Sequence, residues 1–220
     1  LSDHGIGVGD RCRFANLSTA IKFNTNEYKV HSIDSPTIFS IYANSTTNYT
    51  GIEGEVIRLT DKVTNLTWLS GRDVSVQADG AVLFPDSVDT DGVLRLDKYI
   101  KTAIIGFGYI STIVSLRIEQ NSMKGGISQG KRKRTDTCAI RFFNTIGAKC
   151  GISTSTNDLI SIPFRSAHDK SDYPTPLFSG DKVILVPTRY DRDGSISVVQ
   201  EQPLPMSVLG IIQDLEVGDL

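Results

Sequence analysis

Cysteine is scarce in this chain: there are three, Cys12, Cys138 and Cys150, and they form no C-x-x-C pair. An odd number leaves one thiol outside any intramolecular disulfide scheme, and no spacing to His4, His31 or His168 fits a metal site. All three are expected to be small buried apolar residues. Charge of one sign is lacking too, since 23 Lys plus Arg against 25 Asp plus Glu give a formal net charge of −2. That excludes the overall electrostatic footprint of a nucleic-acid binder, so any basic role has to be local. The longest apolar runs, such as Ile104-Ile105-Gly106-Phe107-Gly108-Tyr109-Ile110, are far too short for a membrane-spanning helix. No charged leader with a cleavage site is read at the start, and the opening Leu1 is expected of an excerpted or processed polypeptide. Catalytic motifs are missing as well: there is no G-x-S-x-G elbow and no H-E-x-x-H helix, so neither an enzymatic role nor a cofactor is expected.

Helical periodicity is the last absence. No window of eleven or more residues shows apolar recurrence at i, i+3, i+4 and i+7 with caps, and only residues 17–21 or 157–160 suit a helical turn. Alternation with period two is what the sequence has instead. Val8, Asp10, Cys12 and Phe14 alternate with Arg11 and Arg13; Val74, Val76 and Ala78 with Ser75, Gln77 and Asp79; Cys138, Ile140 and Phe142 with Thr137, Ala139 and Arg141. Further β-rich runs cover residues 37–42, 115–119, 182–186, 196–200 and 208–212, parted by Gly, Asp, Asn and Pro clusters. The chain is therefore expected to be all-β. Its 220 residues, 39% of them hydrophobic, are enough for one large domain or two small ones without a staple, each burying roughly 60–70% of its unfolded surface.

Turn chemistry refines this picture. Asp79-Gly80, Asp91-Gly92 and Asp193-Gly194 each offer a position where positive φ is accessible, and are expected to turn hairpins. The Asn-, Thr-, Ser- and Gly-rich stretch 43–55 marks a boundary near Gly54, giving a small β-barrel domain at 1–54 and a larger antiparallel β-sandwich-like domain at 55–220. Residues 121–130 read as a loose crossing, and 216–220 as a frayed end.

Several motifs carry candidate chemistry. Gly125-Gly126-Ile127-Ser128-Gln129-Gly130-Lys131 meets the first positions of a phosphate-binding loop, but Arg132 replaces the hydroxyl that would hold Mg²⁺, and a strand-like pattern follows where a helix is needed. Lys131, Arg132, Lys133 and Arg134 form the one basic run. Its charges can meet phosphates without reading sequence, and period two puts at least two of them on one face, toward solvent or a lumen. Asp191-Arg192-Asp193-Gly194-Ser195 opens like a Ca²⁺ loop but lacks the closing Glu, because Gln202 stands there, so a turn is expected. The four Asn-x-Ser/Thr sequons are assigned no role without an export signal. Tyr173-Pro174-Thr175-Pro176 and Gln202-Pro203-Leu204-Pro205 are expected as edges or corners, because Pro has no ladder donor.

Five ordered islands give these motifs a context. They are Leu66-Thr67-Trp68-Leu69-Ser70-Gly71-Arg72-Asp73-Val74 continuing through Ser75-Val76-Gln77-Ala78-Asp79-Gly80, the basic run preceded by Gly130, Ile162-Pro163-Phe164-Arg165-Ser166-Ala167, Pro176-Leu177-Phe178-Ser179-Gly180-Asp181, and Gln202-Pro203-Leu204-Pro205-Met206 with Ser207-Val208-Leu209-Gly210-Ile211-Ile212. In this order they resemble the C-terminal domain of the tail nozzle (tail tubular protein B) family of short-tailed bacteriophages. His4-Gly5-Ile6-Gly7-Val8-Gly9-Asp10-Arg11-Cys12-Arg13-Phe14, with Tyr28-Lys29-Val30 and Phe39-Ser40-Ile41, is similar to the small barrel insert that the family shares with ubiquitin-activating enzymes, without carrying over a catalytic cysteine. The family's propeller-like body has no counterpart between the two units.

The resemblance implies a ring subunit, by family analogy a hexamer, in the virion tail. Its neighbours would be copies of itself, the portal adaptor and tail fibre proteins, with transient contact to ejected phage DNA and no membrane insertion. Fold by itself does not license that function. Lys131, Arg132, Lys133 and Arg134 become candidates for the DNA channel. Ile162, Pro163, Phe164 and Arg165, together with Pro174, Pro176, Leu177 and Phe178, become candidates for interfaces between subunits. The alternative is a receptor- or glycan-binding module of a phage tail that uses Tyr42, Tyr49, Trp68 or Tyr173 as stacking platforms.

Overall fold

A computed structural model of the chain describes residues 6–24, 26–44, 53–84, 87–119, 121–122, 126–153, 155, 158–169, 173–186 and 190–218. Among them the regular elements are strands, with 3-10 turns at Ile21–Phe23 and Thr67–Leu69 and no α-helix. The chain is all-β, as its alternation requires. Compactness separates Leu1–Asp79 with Leu83–Ile105 from Gly80–Val82 with Gly106–Leu220.

The first unit takes in β1 (Arg11–Ala15), β2 (Glu27–Ser35), β3 (Ile38–Ile41), β4 (Glu55–Val63), β5 (Ser75–Ala78), β7 (Leu94–Ile100) and β8 (Ala103–Gly106), with β6 (Ala81–Leu83) crossing into the second unit. An antiparallel sheet runs in the order β3-β2-β1-β4-β7. The boundary expected near Gly54 falls inside this unit, because the strand that begins at Glu55 pairs with β1, Ala15 lying opposite Glu55 and Arg11 opposite Leu59. The Asn-rich stretch is thus a connection between two strands of one sheet.

Cys12, Ile6 and Val30 form one core with Phe14, Tyr28 and Phe39; Leu69, Val76, Ala78, Val88, Leu94, Leu96 and Ile100 form another. Asp79 and Gly80 both adopt positive φ, 47° and 83°, in the two-residue turn that leads from β5 into β6. Both positions of such a turn need the left-handed region, and Asp-Gly supplies it. The Asp79 carboxylate also accepts bonds from the backbone of Lys101 and Thr102, each at 2.9 Å, and so ties the turn to the connection between β7 and β8. Asp91-Gly92 turns the chain into β7 without joining two strands, the Asp89 carboxylate accepting from Asp91 and Val93.

The second unit holds β9 (Ser111–Val114), β10 (Asn121–Ser122), β11 (Gly126–Ile127), β12 (Lys133–Thr145), β13 (Lys149–Gly151), β14 (Leu159–Ser161), β15 (Phe178–Leu185), β16 (Ser197–Gln200) and β17 (Val208–Val217). Two larger sheets, ordered β15-β12-β17 and β14-β13-β16-β9, contribute to one core of Cys138, Ile140, Phe142, Cys150, Ile184 and Val198 with Phe164 and Ile196. Phe142, Phe164 and Phe178 chain edge to face across it, with centroids 5.4 and 6.1 Å apart.

Some local expectations shift. Residues 115–119 are not a strand; the preceding four, Ser111–Val114, pair with β16 instead. Of the end expected to fray, Glu216 and Val217 are paired, Val217 lying opposite Lys133, while Asp219 and Leu220 lie outside the described residues. Within the expected loose stretch 121–130, β10 and β11 pair, while Gly125 lies outside the described residues. The turn expected at 17–21 is displaced to Ile21–Phe23, and Asn157 of the other candidate lies outside the described residues.

Burial keeps the thiols from solvent, while a hydrogen bond between Cys138 and Cys150 lowers the Cys138 thiol and raises its partner. All three cysteines are free and buried. Desolvation pushes Cys12 up to about 11, and hydrogen bonding to Cys138 together with burial pushes Cys150 up as well. At pH 8 the native protein should therefore give no fast reaction with Ellman's reagent, and all three thiols should titrate after unfolding in guanidinium. Rapid modification of any one in the native state would contradict the described packing.

Candidate assembly surface

A strand that buries alternate residues must turn the others outward. On β12, Cys138, Ile140 and Phe142 point into the core, so Thr137, Ala139 and Arg141 occupy the opposite face. Register then sets their neighbours: Ala139 lies between Val183 of β15 and Ile212 of β17, and Thr137 between Leu185 and Asp214. Val183 is 73% exposed, Leu185 76%, Ile212 66%, Leu209 65% and Phe143 53%. The small Ala139 thus stands between two large exposed side chains.

The polar feature in the same sheet is an ion pair in register across β12 and β15. Arg141 donates through Nε and Nη2 to the two oxygens of Asp181, at 2.7 and 2.8 Å. This fork holds the Asp181 carboxyl below its ordinary range and raises the Arg141 guanidinium. Both outer strands, β15 and β17, pair only with β12 among the described residues, so each presents an open edge.

The basic run does not form one cationic surface. Lys133 has no exposed surface at all; its ammonium donates to Glu119 Oε1 at 3.2 Å and to the Arg192 carbonyl at 3.4 Å. Around it the segment 191–194 closes like a clasp. Lys133 and Asp191 exchange backbone bonds of 2.6 and 2.9 Å, Gly194 packs against the Lys133 stem, and Asp193 accepts from Arg117 Nε at 2.8 Å. The Asp191 carboxylate accepts from the amides of Asp193 and Gly194, so Asp193-Gly194 is a turn within this clasp and not a strand-to-strand hairpin.

Arg134 pairs with Asp136 at 2.5 Å and lies 5.9 Å from the Tyr190 ring centre, and Tyr190 is raised chiefly by its hydrogen bond to Glu216. Arg132 is exposed and Lys131 is half-buried. The expectation of solvent-facing charges thus holds for Arg132 and, in part, Arg134, whereas Lys133 is internal because its strand face is closed by 191–194.

The candidate interface segments divide in the same way. Ile162 and Phe164 are buried and the half-buried Phe178 packs on the same core, so all three contribute to the unit's own packing. Pro163, Arg165, Pro174, Pro176 and Leu177 are exposed, and Arg165 Nη2 donates to the Tyr173 carbonyl at 2.5 Å, which links the two segments. Gln202-Pro203-Leu204-Pro205 is a corner before β17, outside the strands as expected. A strand follows Lys131, so the phosphate-loop pattern gains no helix N-terminus.

The exposed apolar face was missed in the sequence reading, yet its signal was present. Val183-Ile184-Leu185-Val186 and Val208-Leu209, then Ile211-Ile212 after Gly210, are apolar at successive positions. That is the pattern of a strand covered on both faces.

No family model matches the chain, and no curated protein matches it. Among the described residues no group of His, Cys, Asp or Glu could hold a metal ion, and no helix is long and apolar enough to cross a membrane.

Replacing Lys133 with Ala should lower stability by about 1–3 kcal/mol, because a packed stem and its hydrogen bonds are lost, whereas Arg132→Ala should change it by less than about 0.5 kcal/mol. Urea melts of the two variants check the contrast. Equal effects would mean that Lys133 is not enclosed.

Proposed function

We propose that this chain is a structural subunit of a short phage tail, of the nozzle type, which works by fitting against copies of itself and neighbouring tail proteins and transforms no substrate. The supporting observation is the apolar outer face of the β15-β12-β17 sheet. Large side chains scattered singly on a surface need no explanation, but Val183, Leu185 and Ile212 are grouped in register around Ala139 and Thr137, and neighbouring apolar side chains of this kind mark a surface that is covered in use. Together with the islands quoted from the sequence, this favours assembly over catalysis. The two sheets that share a core in the second unit are read as the sandwich-like domain, and the five-stranded sheet of the first unit as the small barrel.

Magnitudes limit what the face can do alone. Five large side chains at this exposure present on the order of 500 Å² of apolar area. Burying it contributes on the order of 12 kcal/mol at roughly 25 cal/mol per Å². Association itself costs about 4–15 kcal/mol. One such contact is therefore marginal, and a closed ring, in which every subunit uses two different patches, supplies what one contact lacks. The open edges of β15 and β17 and the exposed Pro174, Pro176 and Leu177 are the second set of contacts in this reading. The portal adaptor and tail fibre proteins are the neighbours, and the virion tail is the location after assembly in the host cytoplasm.

In such a conduit the near-neutral charge prevents DNA from adhering, and Arg132 with Lys131 meets passing phosphates. Sedimentation across the micromolar range tests the reading. The wild-type chain should self-associate, and Val183→Glu combined with Ile212→Glu should give monomers whose far-ultraviolet circular dichroism is unchanged. A wild-type chain that stays monomeric and is absent from purified particles would sink it.

A further inference from the structure

The first unit has a groove of about 660 Å³, formed by the 3-10 turn at Ile21–Phe23, the start of β2 and the residues that follow β3. Aromatic rings from Phe23, Tyr28 and Tyr42 line it, along with the amide side chains of Asn26 and Asn44. Tyr42 is 75% exposed, yet its ring is pinned. Its hydroxyl lies 3.1 Å from His31 Nε2 in a hydrogen bond, and the two ring centroids are 4.2 Å apart. Tyr28 is fixed from beneath by Phe14 and from the side by Phe23, with centroids at 5.7 and 5.9 Å.

The polar groups are oriented as well. Asn26 Nδ2 donates to the Tyr28 hydroxyl at 3.3 Å and to the Lys22 carbonyl at 3.5 Å, leaving its Oδ1 without a donor among the described residues. Glu27 is engaged by Arg13 at 3.1 Å and Arg11 at 3.8 Å, so its charge is already balanced and the groove presents no uncompensated carboxylate. A pinned, exposed aromatic ring beside side-chain amides suits a ligand with an apolar C–H face and many hydroxyls. A phosphorylated ligand would need more cationic donors than Lys22 provides.

We propose that this groove binds a short neutral oligosaccharide, with one pyranose face on Tyr42 and hydroxyls on the amides of Asn26 and Asn44. This inference concerns the first unit alone and does not depend on assembly through the second.

The test is an array of bacterial surface oligosaccharides probed with the full chain, followed by calorimetric titration of the neutral glycans that bind, with maltotriose and chitotriose as soluble probes. At least one neutral oligosaccharide should bind. Tyr42→Ala should weaken binding about tenfold and Asn26→Ala severalfold, whereas Tyr42→Phe, which keeps the ring but loses the hydroxyl bond to His31 that pins it, should weaken binding less than Tyr42→Ala does. Thermal melts of each variant separate loss of binding from loss of fold. Binding of no neutral oligosaccharide, or of acidic glycans alone, would overturn the proposal, as would Tyr42→Ala or Asn26→Ala that folds and binds like the wild type.

Discussion

Strand β12 has two faces and can give only one of them to its own core. Cys138, Ile140 and Phe142 take that face, and the pleat then determines where Thr137, Ala139 and Arg141 must stand. Because β15 and β17 flank β12 in fixed register, their side chains sort by the same rule: Ile184 goes inward, and Val183, Leu185 and Ile212 go outward. A slip of one residue in either flanking strand would exchange the two sets. The packing that secures the second unit is therefore inseparable from the apolar surface it displays. The proposed assembly role rests on that coupling, since exposed apolar surface on a monomer is ordinarily kept small.

Charge is handled differently in the same unit. The four consecutive basic residues are a cationic patch only on paper. Lys133 is drawn inside by Glu119 and the 191–194 clasp, Arg134 is matched by Asp136, and Arg132 remains outward. A buried ammonium has to be paired to be tolerated, and here the pairing joins two segments far apart in sequence. Two motifs that looked independent, the basic run and Asp191-Arg192-Asp193-Gly194, are halves of one structural feature. What is left outward for a polyanion is modest.

Alternation was the most legible signal in the sequence. It located β5 and β12, the inward face of Cys138, Ile140 and Phe142, and the all-β character of the chain. The Asp79-Gly80 turn was legible because few residue pairs tolerate positive φ at both positions. The boundary near Gly54 was misplaced because composition marks a loop without saying whether the strands on either side pair, and β1 does pair with β4. Lys133 was misjudged because only a contact with residues some sixty positions away closes its face. Ile162, Phe164 and Phe178 lie in segments that lack alternation, so nothing local shows that their side chains turn inward. The groove around Tyr42 was foreshadowed by one exposed aromatic residue and no more, its other walls being brought together by the sheet. Tyr49, named with it, lies outside the described residues.

The account stands or falls on whether the outer face of the β15-β12-β17 sheet is covered in the assembled state. Hydroxyl-radical footprinting read by mass spectrometry, comparing the dilute isolated chain with purified particles, measures this at single residues. Val183, Leu185, Leu209 and Ile212 should be strongly labelled in the dilute chain and protected in the particle, while exposed residues of the first unit such as Ile38 keep their labelling. Equal labelling of those four side chains in both states would contradict it.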